Sequence, residues 1–124
     1  MKDIIWLKEN YLSFLREEQE DLRKSIEDLQ KQECVDDANL QKIRLNIVEI
    51  FNKMFNISLS DSPIALREKY LGFFQKITEP WYVNKEKAQK FGDENEAIIE
   101  DIKIQEAEKL KSQFVECYNQ LDIN

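Results

Sequence analysis

Apolar residues recur along this chain at spacings of three and four, the signature of amphipathic helices. From about residue 3 to residue 33, Ile5, Leu12, Gln19 and Ile26 follow a seven-residue repeat, and so do Lys8, Leu15, Leu22 and Leu29. Trp6, Leu7, Tyr11 and Phe14 broaden the first half of this stripe. Its second half is a thin seam of Leu22, Ile26 and Leu29, suited to one partner helix at a time. Across 37–57, Leu40, Ile43, Ile47, Ile50, Met54 and Ile57 keep helical spacing, while Leu45, Val48, Phe51 and Phe55 widen the apolar face past half the circumference. A helix this apolar is buried on several sides, so it is expected at the centre.

Punctuation marks the remaining elements. Asp36 or Asp37 is placed to cap the second helix. Ser62-Pro63 pairs a capping hydroxyl with a proline at the first helical position, the start of a third helix over 63–78. Glu79 precedes Pro80 and is expected to leave helical space, ending that helix. Trp81-Tyr82-Val83 then reads as a connector, and Asn84 as the cap of a short helix through Phe91. Gly92 reads as a left-handed terminator, with Asp93 and Glu96 as a capping box for a last helix over 94–121. Between Ile99 and Glu108 that helix is poor in large apolar residues, so its narrow stripe is expected to face solvent or another chain. The pattern predicts an all-α, antiparallel bundle of four to five helices, one domain over residues 1–124. Ile47, Ile50, Phe51, Met54, Leu66, Tyr70, Phe73, Leu15 and Phe114 are its expected core.

Composition narrows the chemistry. The 124 residues include 2 Gly, 2 Pro and no His. So few turn residues argue against an all-β fold. The lack of histidine excludes Ser-His and Cys-His catalysis and His-ligated metal sites. Cys34 and Cys117 are too few for a four-thiolate cluster and are expected as free thiols. Ile4–Leu7 is too short for a signal peptide's apolar region, and no run approaches a membrane span, so a cytoplasmic location is expected.

The formal net charge is −7. Residues 1–33 carry 6 positive and 9 negative charges, residues 34–84 carry 6 and 6, and residues 85–124 carry 6 and 10. With no third basic, neither nucleic acid nor anionic membrane is an expected partner. The expectation is a non-catalytic protein without cofactor that acts by binding another protein, or a second copy of itself. An acidic inhibitor or immunity protein that covers a basic target is one form this could take. Trp81 and Tyr82, beside Pro80, and Trp6 near the start are the candidate binding anchors. The plainer reading of Trp81 is a plug at the end of the bundle.

One acidic pattern points elsewhere. Glu17-Glu18-x-x-Asp21 followed by Glu33-x-x-Asp36 resembles the magnesium-binding carboxylates of all-α nucleoside triphosphate pyrophosphohydrolases. The resemblance covers about twenty residues and implies carboxylates that hold Mg²⁺ to clamp a triphosphate and activate water. In a chain with 25 acidic residues the plainer reading is a solvated acidic face.

Overall fold

A computed structural model describes residues 1–122. Four helices run up and down: α1 (Ile4–Lys31), α2 (Val35–Ser58), α3 (Pro63–Lys90) and α4 (Glu94–Asn119). They contain 28, 24, 28 and 26 residues, so each is roughly 36–42 Å long and the ends finish nearly level.

The third helix departs most from expectation. It does not stop at Thr78 but continues through Pro80 to Lys90, so the connector and the short fifth helix do not exist. Proline removes one backbone donor and crowds the carbonyl of Lys76, at a cost of about 3 kcal/mol. Here Lys76 and Pro80 both face solvent, where water can serve the freed carbonyl. Beyond the proline, Trp81 packs against the core, Lys85 meets Asp101 of α4 at 2.8 Å, and Ala88 is buried. These contacts hold the helical continuation against the local penalty.

The ends of the helices have identifiable caps. Asp3 Oδ1 accepts from Ile5 N and Trp6 N, and Ser62 Oγ accepts from Ala65 N. Asp93 Oδ1 accepts from Glu96 N, as expected. Asp36 and Asp37 are not caps: α2 starts after Cys34, and both aspartates sit in its first turn.

α1 and α3 end in the same motif. Cys34 N donates to Leu29 O and Glu33 N to Gln30 O; Asp93 N donates to Ala88 O and Gly92 N to Gln89 O. Such a turn needs a left-handed residue just past the helix. Gly92 fills that place with φ 75°, but in the first turn the residue is Glu33, with φ 60°. At the other end of the bundle the chain termini are tied: Lys2 N donates to Asp122 Oδ2, and Asp122 N to Lys2 O.

The closest pairings are α1 with α2 and α3 with α4. α2 and α4 also approach each other across the middle, whereas the backbones of α1 and α3 stay apart and meet only through side chains such as Tyr11 and Tyr70. The bundle is therefore a flattened rhombus with α2 and α4 on its short diagonal. α2 is central, as its wide apolar face predicts. α4 is equally central, which overturns the reading of its middle as a surplus stripe: Glu100, Ile102, Ile104, Glu106, Ala107 and Leu110 are all buried.

Phe51 and Phe74 stack at the core with ring centroids 4.0 Å apart, while Tyr11, Phe55, Tyr70 and Phe114 meet edge to face. Of the expected core, Leu15, Ile47, Phe51, Leu66, Tyr70 and Phe114 are buried. Ile50, Met54 and Phe73 are half-buried, with Phe74 taking the inward position beside Phe73.

Candidate functional site

The expected anchors do not converge. Trp6 is half-buried one turn into α1, under the Lys2 ammonium at 4.9 Å from its ring. Trp81 is half-buried well along α3, with Lys103 Nζ 6.0 Å from its ring. It lies eighteen residues into a helix that starts at the Trp6 end, so the two are separated by roughly 24 Å along the bundle. Trp81 does not plug an end; it covers the flank of α4.

Tyr82 stands at the rim of a groove between α3 and α4. The groove has a volume of about 540 Å³, and its lining includes Leu71, Phe74, Thr78, Val83 and Ala107. Tyr82 is 46% exposed and Val83 45%. The Tyr82 hydroxyl donates to Glu108 Oε1 at 2.9 Å, which holds the ring across the groove edge. Burial, then that bond to a carboxylate, raises the hydroxyl above its ordinary pKa. Sequence reasoning found Tyr82 as an aromatic in a supposed connector. Its neighbours Leu71 and Val83 were passed over, since only a continuous α3 brings them to the same face.

The five carboxylates of the acidic pattern are also dispersed. Glu33 occupies the left-handed turn position and Asp36 the start of α2, both exposed. Asp21 lies twelve residues before Glu33, roughly 15 Å away along the axis. Glu17 is exposed beside Glu18, which is buried. Among the described residues, no three acids, cysteines or histidines are gathered to hold a metal ion. Glu18 and Asp21 do share one feature, a groove of about 410 Å³ between α1, α2 and α4 that is also lined by Gln41, Arg44, Glu106 and Lys109.

This second groove is the most polar part of the interior. Lys109 Nζ sits 2.8 Å from Glu18 Oε2. Arg44 Nη1 is 3.5 Å from Glu106 Oε1, and its Nη2 donates to Gln105 Oε1 at 3.1 Å. Glu106 is only 2% exposed. Burial, then its hydrogen bond with Glu18 and the charge of Glu18, push its pKa up to about 8 against the pull of Lys109 and Arg44. Burial would raise Glu18 as well, but the hydrogen bond from Glu106, Lys109 and Arg44 together hold it below the ordinary carboxylate range. The pair therefore keeps one proton at neutral pH: Glu106 is the acid and Glu18 the carboxylate. The sequence puts Glu18 in one acidic cluster and Glu106, with Glu108, in a second that reads as a solvated face; Glu106 is instead buried, and no local pattern distinguishes a buried glutamate from a solvated one.

Glu100, also 2% exposed, forms a lesser counterpart on α4, with Lys103 Nζ at 3.3 Å from its Oε1. Cys34 and Cys117 are free and lie at opposite ends of the bundle, one in the α1–α2 turn and one in the last turns of α4. No helix among the described residues is long and apolar enough to cross a membrane. No protein-family model matches the chain, and no curated protein or solved structure matches it either.

Proposed function

We propose that this bundle is a non-catalytic cytoplasmic protein that works by binding another protein through the α3/α4 groove. The observation that carries this reading is the half-exposed pair Tyr82 and Val83 with Leu71 beside them, over a floor formed by the buried Phe74 and Ala107 and a rim of Gln75, Glu79 and Lys111. A concave apolar surface edged by an aromatic with a polar tip is the usual form of a binding anchor. The net charge of −7 favours a basic partner and would repel a second copy at low salt, where screening is weak.

The test compares the native chain with Val83→Asp and Tyr82→Ala in co-purification from its own cell extract. Both sites are half exposed, so the melting temperature should hold within about two degrees. A stoichiometric partner retained by the native chain and lost from Val83→Asp is the expected result. Sedimentation of the purified protein in low and high salt shows whether that partner is a second copy. If native and variant retain the same proteins and sediment alike as monomers, the groove is not the binding surface.

A second reading, Mg²⁺-dependent hydrolysis of a nucleotide, draws on Glu18 and Asp21 sharing one groove. A melting temperature raised by millimolar Mg²⁺ would favour it, and an unchanged one would count against it.

A further inference from the structure

Charge is not spread evenly along this bundle. The half that holds the α2–α3 turn comprises residues 1–17, 48–77 and 108–122, and carries nine cationic and nine anionic side chains. The other half carries nine and sixteen, so the whole net charge of −7 lies there. The neutral half also ends in an apolar surface. Ile5 of α1, Ile57 and Leu59 at the end of α2, and Ile64 at the start of α3 are each between 37% and 59% exposed. All four lie within about one turn of the tip, on three helices of which α2 is the middle one. The polar groups around them are already engaged. Asp3 and Ser62 cap their helices, Lys2 Nζ donates to Gln120 Oε1, Lys2 N donates to Asp122 Oδ2, and Ser60 Oγ accepts from Ser62 N. Covering this tip removes apolar surface from water and strips few free polar groups.

We propose that two copies of this chain pair tip to tip through Ile5, Ile57, Leu59 and Ile64, with their acidic halves pointing apart. A second copy suits this surface for two reasons. It brings the same neutral, apolar patch, so a twofold contact is self-complementary. It also lets two chains of charge −7 meet with their acidic halves held furthest apart. Each acidic half starts roughly 18–20 Å from the tip, so across the contact the two lie about 40 Å apart, several Debye lengths at physiological salt. Parallel side-by-side pairing would instead set them against each other. A basic partner gains no attraction at a neutral tip and is drawn to the other half. The end of four helices about 10 Å apart offers roughly 400 Å² per copy. That is about half the usual share of a stable interface, so the pair is weak and dissociates readily.

Sedimentation equilibrium over about 10 μM to 1 mM of the purified chain should show a reversible monomer–dimer equilibrium. Its constant should change by less than about twofold between low and high salt, since the meeting surfaces carry no net charge. Ile64→Asp and Ile57→Lys should each weaken pairing about tenfold or more, because each leaves a charge facing apolar surface. Both substitutions suit their places, an acid at the start of α3 and a base at the end of α2, so the monomer keeps its fold.

Tyr82→Ala and Val83→Asp, in the α3/α4 groove, should pair as the native chain does, so loss of pairing at the tip and loss of a partner from the groove are read separately. The proposal is overturned if the native chain stays monomeric throughout that range, or if either tip variant pairs as tightly as the native chain. Loss of pairing in Val83→Asp would move the contact to the groove and overturn it too. So would pairing that tightens severalfold with salt, the mark of acidic flanks brought together.

Discussion

At the scale of single residues, two buried pairs carry the polar content of the core. Tyr11 and Tyr70 place their hydroxyls 2.7 Å apart, with Leu110 O 3.0 Å from Tyr11 and Phe51 O 3.2 Å from Tyr70. Two hydroxyl protons serve three contacts, so one hydroxyl donates to the other and the second donates to a helix carbonyl. Burial raises both hydroxyls well above the ordinary tyrosine range, which keeps both protons in place at any physiological pH. Tyr70→Phe leaves Tyr11 free to donate to Leu110 O, and Tyr11→Phe leaves Tyr70 free to donate to Phe51 O. Neither change orphans a donor. Each should therefore cost only about 0.5–1.5 kcal/mol in denaturant unfolding, the worth of one net hydrogen bond.

The Glu18–Glu106 pair gives stability a pH dependence of known sign. Glu106 has a folded pKa raised to about 8, well above its unfolded value. Its contribution is full below the unfolded value and is lost as pH rises through about 8. Glu18 is shifted the opposite way, and its contribution is lost only in acid, below the ordinary carboxylate range. Between pH 8 and pH 5 the first effect acts alone, so stability should rise by a few kcal/mol as pH falls. General relief of repulsion in a chain of charge −7 predicts the same direction from sequence, but it spreads the effect over the whole surface. Glu106→Gln separates the two causes. If the rise is local, unfolding midpoints of that variant at pH 5, 6.5 and 8 should nearly coincide.

At the scale of elements, the helix starts and turns were the legible part. Ser62-Pro63 and Gly92-Asp93 announce their roles through local chemistry, and the structure uses them in those roles. Pro80 misled for the same reason: its local rule is sound, but contacts of Trp81, Lys85 and Ala88 with distant residues decide the outcome. The middle of α4 misled in another way. Glutamates there look solvent-facing until α1 brings Glu18 to Lys109 and α2 brings Arg44 to Glu106. Tyr82 was legible as an aromatic anchor, whereas the wall opposite it depends on helix packing, which periodicity alone does not specify.

Glu33 gives this scale its prediction. It holds a left-handed conformation that costs an ordinary residue about 1 kcal/mol and glycine almost nothing. Glu33→Gly should stabilise the chain by up to about 1 kcal/mol, offset in part by greater freedom when unfolded. Gly92→Ala, at the matching turn, should destabilise it by a similar amount. Thermal melts of the two variants should move in opposite directions.

At the scale of the whole molecule, the rhombic arrangement concentrates the core between α2 and α4, with aromatic rings reaching in from α1 and α3. Phe51 is fully buried and stacked on Phe74, so Phe51→Ala should cost about 3–5 kcal/mol through the cavity it leaves. Phe73→Ala, one position from Phe74 and only half-buried, should cost clearly less. Equal losses of unfolding free energy in the two variants would mean that the inward face of α3 is rotated from the one described.

Leu59–Ser62, the short link between α2 and α3, joins two helical hairpins whose internal pairings are the closest in the fold. No other covalent bond joins those halves. If the link is made too short to reverse direction, each hairpin can still find its complement, but on a neighbouring molecule. Deleting Ser60 and Asp61 should therefore produce an exchanged dimer that reuses every native contact outside the hinge. Sedimentation would report the doubled mass. Near-native aromatic circular dichroism would show that the same rings had met across the exchanged halves.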